Sequence, residues 1–441
     1  MSSRTFYIET YGCQMNEHDS EKMSALLENV GFTQVSAAEA ADVVVINTCS
    51  IREKAEHKVY SALGKLKSLK KKNPAVITVV AGCVAQQEKE NLLHRAPHLD
   101  LVLGTHSIAQ LPNLVEQVGQ SRRQLESTAF AGDVESLHMN APLKGKNQIC
   151  SYVTIMQGCS NFCTYCVVPF TRGPEQSRKL DEIVDEVRDL VKRGIKEITL
   201  LGQNVNAYGK DLNNGTLFND LLKELNGIPE LSRIRFTTSH PRDFNDNMAA
   251  AMADLKSVCE HIHLPLQSGS DRILAAMNRG YASLEYMDKL QRLRERIPNV
   301  AVTTDIIVGF PGETQADFED TQRALQIIRF DQIFSFKFSR RPGTAAREFP
   351  DQVPEEIKTE RLSAVHRIQD EITLQHHKNA EGAIEEVLIE GIKNGNGQPF
   401  GRTRTNKIVN IEGSERIREG DLLKVRIVRG LKHSLLGSLI N

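Results

Sequence analysis

Long apolar runs are missing from this chain of 441 residues. The longest, at 43–46 and 76–81, fall far short of the roughly 20 apolar residues that span a bilayer. The opening Met1-Ser2-Ser3-Arg4-Thr5-Phe6-Tyr7 starts no long apolar core of the kind that marks a secreted protein. The expectation is a cytoplasmic protein with no membrane partner. Strong net charge is missing too: 55 basic against 56 acidic side chains leave −1 at pH 7, so any surface for nucleic acid must be local. No Walker pattern is present, so the glycine-containing loops need not cradle a phosphate. A disulfide framework is not expected either. Eight cysteines in a chain this long suit ligation or catalysis in a reducing compartment. The length allows about two to four domains.

What the chain does have is Gly158-Cys159-Ser160-Asn161-Phe162-Cys163-Thr164-Tyr165-Cys166, directly after a strand-like run at 152–156. Three thiolates at C-x-x-x-C-x-x-C spacing can hold one metal assembly. A structural zinc site usually takes four ligands, and a fourth cysteine at matching spacing is absent. A cubane iron–sulfur cluster normally takes four cysteines, so three leave one iron open to a ligand from outside the protein. A zinc knuckle, or three unrelated core cysteines, would also give a loose spacing of this kind. The preceding strand and the aromatic Tyr165 favour the cluster. The spacing resembles the radical S-adenosylmethionine (SAM) enzymes. That resemblance implies that the open iron chelates SAM and that one electron cleaves SAM to a 5′-deoxyadenosyl radical. The protein then supplies positioning and the exclusion of water.

Residues 1–118 alternate strand and helix. Strands are expected at 5–9, 42–47, 75–81 and 101–103, with helices at 17–30 and 52–69. This alternation argues a parallel sheet with helices on both faces, and such sheets gather ligands at the carboxyl ends of their strands. Cys13, Cys49 and Cys83 each follow a different strand, 36 and 34 residues apart. Three cysteines delivered to one sheet edge make a second three-ligand site. Three buried thiols are the plainer alternative, since free cysteine is among the most buried residue types, but repetition in three successive units favours the site.

The words Thr10-Tyr11-Gly12-Cys13-Gln14-Met15-Asn16, Asn47-Thr48-Cys49-Ser50-Ile51-Arg52-Glu53-Lys54-Ala55 and Ala81-Gly82-Cys83 resemble the methylthiotransferase family. Sisters within that family modify a ribosomal-protein aspartate or a threonylcarbamoyl adenosine. The Cys-Gln-Met-Asn and Ile-Arg-Glu-Lys words are similar to the branch that acts on isopentenyl-type adenosine in tRNA. The resemblance implies two [4Fe–4S] clusters, one on each cysteine triplet, and two molecules of SAM. It implies methylthiolation at C2 of N6-dimethylallyladenosine immediately 3′ of the anticodon. One SAM gives its methyl to sulfur held at Cys13/Cys49/Cys83; the other yields the radical. The base must leave its stack to be reached. The implied partners are a tRNA anticodon stem-loop carrying the prenylated adenosine, an electron donor such as a flavodoxin- or ferredoxin-type protein, and a sulfur source. Asn16, Arg52, Glu53 and Lys54 stand next to the cysteine turns and are candidates for RNA contact. From 52 to 72 there are eight basic and two acidic residues, which suits a helix along an RNA backbone or a plain solvated face.

Residues 119–148 read as a linker with no sustained period, and Cys150 at its end reads as a packing thiol. Over 149–375 six strand-like runs, at 151–156, 197–201, 233–237, 261–264, 300–307 and 332–338, alternate with helical stretches. Six βα units fit a partial barrel whose chemistry sits at the carboxyl mouth of the strands. By resemblance, Gln203, Ser239, Gln267 and Arg279 line the SAM pocket, with Arg279 suited to the SAM carboxylate. Pro174 replaces an arginine expected from the family in Thr171-Arg172-Gly173-Pro174-Glu175. His240 reads as a structural histidine and Cys259 as core. Residues 376–441 show short strands between turns and eleven basic against eight acidic residues. They suggest a small nucleic-acid-binding β barrel and resemble the family's TRAM domain, with Arg402 and Arg404 placed on a loop against RNA. A generic β module remains the alternative there, and a zinc-stabilised, non-catalytic RNA-binding protein remains the rival for the whole chain. The expected fold class is α/β: an N-terminal parallel sheet domain, a central partial (β/α)6 barrel and a small C-terminal all-β barrel.

Overall fold

The computed structural model describes residues 4–50, 53–140, 148–393, 397–412 and 417–440, with the backbone alone over 53–57. Its first layer is a sheet of β1 (Thr5–Tyr11), β2 (Thr33–Gln34), β3 (Val43–Thr48), β4 (Ile77–Gly82), β5 (Leu101–Leu103) and β6 (Leu125–Ser127). The order is β2-β1-β3-β4-β5-β6 with every pair parallel. The valine and isoleucine runs explain the centre: β3 and β4 are buried at every position, as strands covered on both faces must be. Met23, Leu27, Leu111 and Val115 pack one face and Val59, Leu63, Leu66 and Leu92 the other. The sheet reaches further than the sequence suggests. β6 lies inside the span expected as a linker, where Leu125-Glu126-Ser127 is too short to show a period.

The central unit holds β7 (Cys150–Thr154), β8 (Glu197–Leu201), β9 (Arg233–Phe236), β10 (His261–His263), β11 (Ala301–Val308) and β12 (Gln332–Lys337). Two parallel triplets, β7-β8-β9 and β10-β11-β12, meet where Ile234 and Ser239 bond the chain at Ser257, Cys259 and His263. Strand order follows chain order, as a partial (β/α)6 barrel requires. The helices between are amphipathic. Leu180–Lys192, for example, buries Ile183, Val184, Val187, Leu190 and Val191 against the barrel core. The first expected strand is broken: Met156–Gln157 leaves β7 to pair antiparallel with Gln176–Ser177.

A 25-residue helix, Glu355–Asn379, leads out of this unit and crosses the expected boundary at 375. Its buried face carries Lys358, Arg361, Gln369 and His377 beside Val365 and Ile372, so no clean apolar stripe announces it. It ends against β13 (Ile384–Ile392), β14 (Pro399–Thr403), β15 (Ile408–Glu412), β16 (Leu422–Gly430) and β17 (Leu435–Leu439), which close a barrel in the order β13-β14-β15-β17-β16. β14 stands partly where a loop was expected. Gly401 allows its close approach, since a Cβ there would lie 2.0 Å from Leu388 O. Among the described residues no helix is long and apolar enough to cross a membrane.

Candidate metal centres

Register brings the first three cysteines together. Tyr11 pairs with Thr48 and Thr48 with Gly82, so Cys13, Cys49 and Cys83 leave three neighbouring strands at one edge. Asn16 and Asn47 lock the turns. Asn16 Nδ2 donates to Thr48 O (3.1 Å), Asn16 Oδ1 accepts from Cys13 N (3.3 Å), and Asn47 Nδ2 donates to Asn16 O (2.7 Å). Gly82 has φ +90, and a Cβ on it would meet Asn47 Oδ1 at 2.4 Å. Asn16, expected to reach RNA, is fully buried and shapes the cysteine turn instead. Arg52 lies outside the described residues, and Glu53 and Lys54 open the helix Glu53–Lys72 with only their backbone described. A hydrogen bond with Cys49 outweighs burial and, with the nearby charge of Arg172, holds the Cys13 thiol down to about 6. That favours the thiolate, the form that ligates metal.

The second set sits in the loop after β7. Gly158, at φ +84, donates to Gln203 Oε1 at 2.5 Å, and Cys159 N donates to Gly173 O at 3.1 Å. Asn278 Nδ2 holds Phe162 O, and Thr164 Oγ1 holds Ala276 O. Each sulfur has a donor beside it: Asn161 Nδ2 at 3.3 Å from Cys159, Arg279 Nη1 at 3.3 Å from Cys163, Val168 N at 3.5 Å from Cys166. Burial pushes the Cys159 thiol up and Cys166 to about 12, so ligation there must release protons. The donor set fits a three-cysteine cluster: three thiols, hydrogen bonds to sulfur, and no fourth protein ligand in the loop.

The four residues expected around SAM all fall near strand ends on the mouth side. Ser239 Oγ and Gln267 Oε1 are buried without a partner among the described residues, as a polar ligand's cradle would leave them. Gln267 is held at φ +73 by an isolated bridge to Ile306. Arg279 is buried, and besides Cys163 its donors meet Tyr281 Oη and Pro265 O, both at 3.0 Å. Gln203 holds the cysteine loop. Burial and the charge of Arg279 push His240 down to about 2, so its ring stays neutral, with Nδ1 accepting from Arg242 N.

Sequence reasoning missed the connection between the two thiol sets. The short helix Val168–Thr171 starts beside Cys166 and packs on Cys83–Glu88. Thr105 Oγ1 donates to Thr171 O at 2.6 Å and His106 Nε2 to Arg172 O at 2.9 Å. Phe170 stands exposed on this stretch and Phe162 in the cysteine loop before it. The basic tail residues also differ from expectation. Arg404 binds Glu260 at 2.7 Å and Val258 O at 2.6 Å, while Arg402 pairs with Glu390. Arg233 and Arg235 donate back to the carbonyls of Arg402, Thr403 and Arg404. These contacts lie at the amino ends of β9 and β10, so the tail barrel caps the end of the central barrel opposite its mouth. Cys150 lies beside Glu197 and Glu390 within 4.8 Å, but Arg233 and Arg235 pair with Glu197 and compensate its charge. Burial pushes the Cys150 and Cys259 thiols up, in keeping with packing roles.

Residues 153–325 match the Radical SAM superfamily, residues 378–440 the TRAM domain, and residues 5–104 a family described only as uncharacterized protein family UPF0004. Fold and thiol sets therefore define a radical SAM protein that carries a TRAM domain. A tRNA-2-methylthio-N(6)-dimethylallyladenosine synthase from Carboxydothermus hydrogenoformans is 47% identical, and the alignment covers 100% of both chains. One from Thermodesulfovibrio yellowstonii is 48% identical with the same coverage. The chain belongs to the tRNA-2-methylthio-N(6)-dimethylallyladenosine synthase family. Among solved structures, a radical S-adenosylmethionine methyltransferase from Kitasatospora setae shares the fold at TM-score 0.60 and 13% identity, covering 78% of this chain and 75% of that one.

Proposed function

We propose that this chain adds a methylthio group to C2 of N6-dimethylallyladenosine immediately 3′ of the anticodon in tRNA. The observation that carries the proposal is the pair of three-thiol sets, one at the carboxyl edge of β1, β3 and β4 and one after β7, joined by the segment 168–173. Cys13, Cys49 and Cys83 hold one [4Fe–4S] cluster and Cys159, Cys163 and Cys166 the other. When bound, the clusters and two SAM molecules supply the methyl group, the sulfur and the one-electron chemistry that a purine C2–H, too weakly acidic for ordinary bases, requires. The protein binds and orients. Ser239 and Gln267 offer unpartnered polar atoms to SAM, and Arg279 places a fixed charge beside Cys163. Exposed Phe162 and Phe170 present flat faces on which an everted base can stack.

The tail barrel binds the body of the RNA through the outward side chains of β16, where Lys424 and Arg426 alternate with buried Val425 and Ile427. An electron donor of flavodoxin or ferredoxin type, a sulfur source and a cytoplasmic setting complete the proposal. Division of labour follows the layers: the sheet through β6 for the first cluster, the central barrel for SAM, and the residues after 379 for RNA. Nucleoside profiling of tRNA from a deletion strain tests it, and an unchanged 2-methylthio-isopentenyladenosine level rejects it. Cys49→Ala should keep 5′-deoxyadenosine production from SAM and lose the thiolated product.

A further inference from the structure

Arg172 belongs to the central unit, yet its guanidinium lies in the N-terminal one. It is 3% exposed. Nη2 donates to Asp19 Oδ2 at 2.6 Å, and Asp19 belongs to the helix Gln14–Asn29 that starts next to Cys13. The other terminal nitrogen, Nη1, is buried with no hydrogen-bond partner among the described residues. Everything around the residue fixes its position. Arg172 N donates to Val168 O, and Arg172 O accepts from His106 Nε2. The His106 tautomer is set in turn, because its Nδ1 accepts from Ala131 N. Burial opposes the charge of Arg172, but Asp19, Cys83 and Cys13 hold its proton more firmly than in water. The helix before Arg172 packs on Cys83–Glu88 and Asp19 stands on the helix that begins after Cys13, so a buried cation with one idle donor lies beside a cysteine set whose ligands become anionic on metal binding. Hydrogen bonds to sulfur and local charge are what set the potential of such clusters.

We infer that Arg172 Nη1 donates to a sulfur of the iron–sulfur cluster held by Cys13, Cys49 and Cys83, and that Arg172 raises the reduction potential of that cluster while Asp19 lowers it. The role is one of positioning and tuning. The inference rests on the proposal that these three cysteines hold a cluster.

The test uses the full chain, reconstituted without oxygen, with Cys159, Cys163 and Cys166 replaced by alanine so that one cluster remains. Iron and sulfide content come first: no cluster in this parent defeats the underlying proposal and leaves nothing for Arg172 to tune. With the cluster present, dithionite titration followed by electron paramagnetic resonance should show Arg172→Gln shifted to more negative potential. Arg172→Lys should lie between it and the parent, and Asp19→Asn should shift the opposite way. Should Arg172→Gln lose its cluster, Asp19→Asn decides alone. Unchanged potentials, or shifts of the same sign, overturn the inference.

Discussion

At the scale of single residues, orphaned polar atoms separate roles that burial alone leaves merged. Ser239 and Asn16 are both buried polar residues. Asn16 bonds two cysteine turns, whereas Ser239 Oγ bonds nothing among the described residues. Ser239→Ala should therefore leave urea unfolding within about 0.5 kcal/mol of the parent. It should weaken SAM binding about five-fold, near 1 kcal/mol, by anaerobic titration calorimetry. Unchanged affinity would remove Ser239 from the pocket. His240 makes a pH prediction. Its ring is neutral in the folded chain down to about pH 2, chiefly through burial, and it takes a proton in the unfolded chain below its ordinary 6.5. The unfolded state then binds more protons, so the stability this group contributes is whole above pH 6.5 and drains as pH falls, by about 1.4 kcal/mol per unit. His240→Asn, whose Oδ1 can still accept from Arg242 N, should flatten the fall in unfolding free energy between pH 6.5 and 5 by about that slope.

Elements matter here mainly where they turn. The cysteine loop after β7 leans on the segment that follows it, and Gly158 is the hinge of that contact. A Cβ at Gly158 would stand 1.9 Å from Pro174 O, which neither backbone could absorb in place. Gly158→Ala should therefore displace the loop and cut reconstituted iron to about half of the parent value, leaving the iron proposed for Cys13, Cys49 and Cys83 in place. Full iron content would show that the loop can close without Pro174. The family arginine expected at this point is replaced by Pro174, next to the Gly173 carbonyl that accepts from Cys159 N.

For the whole molecule, the tail barrel and the mouth stand at opposite ends of the same parallel strands, so a substrate touching both must be long. tRNA meets that demand. Arg404, locked to Glu260, belongs to the joint between barrels, while Lys424 and Arg426 point outward. Lys424→Glu with Arg426→Glu should weaken tRNA binding and reduce its log–log salt slope by about two. Arg404→Ala should leave that slope alone and raise hydrogen exchange near Glu260. The reverse pattern would return Arg404 to the RNA surface.

Much of the site could be read from the chain because its signals are local. A strand followed by a cysteine, three times over and valine-rich in the two at the centre of the sheet, states both the sheet and the edge where the thiols gather, and the spacing of Cys159, Cys163 and Cys166 states the second set. Tertiary packing decided what local pattern cannot express. The helix Glu355–Asn379 hides behind buried Lys358, Arg361, Gln369 and His377. Arg404 finds its carboxylate 144 residues earlier, and nothing in its neighbourhood distinguishes that partner from a phosphate. Arg172 joins the two cysteine sets only because a four-residue helix carries it across a domain boundary to Asp19. Periodicity and spacing fix what a segment becomes; which charge meets which depends on distances that exist only once the layers have closed.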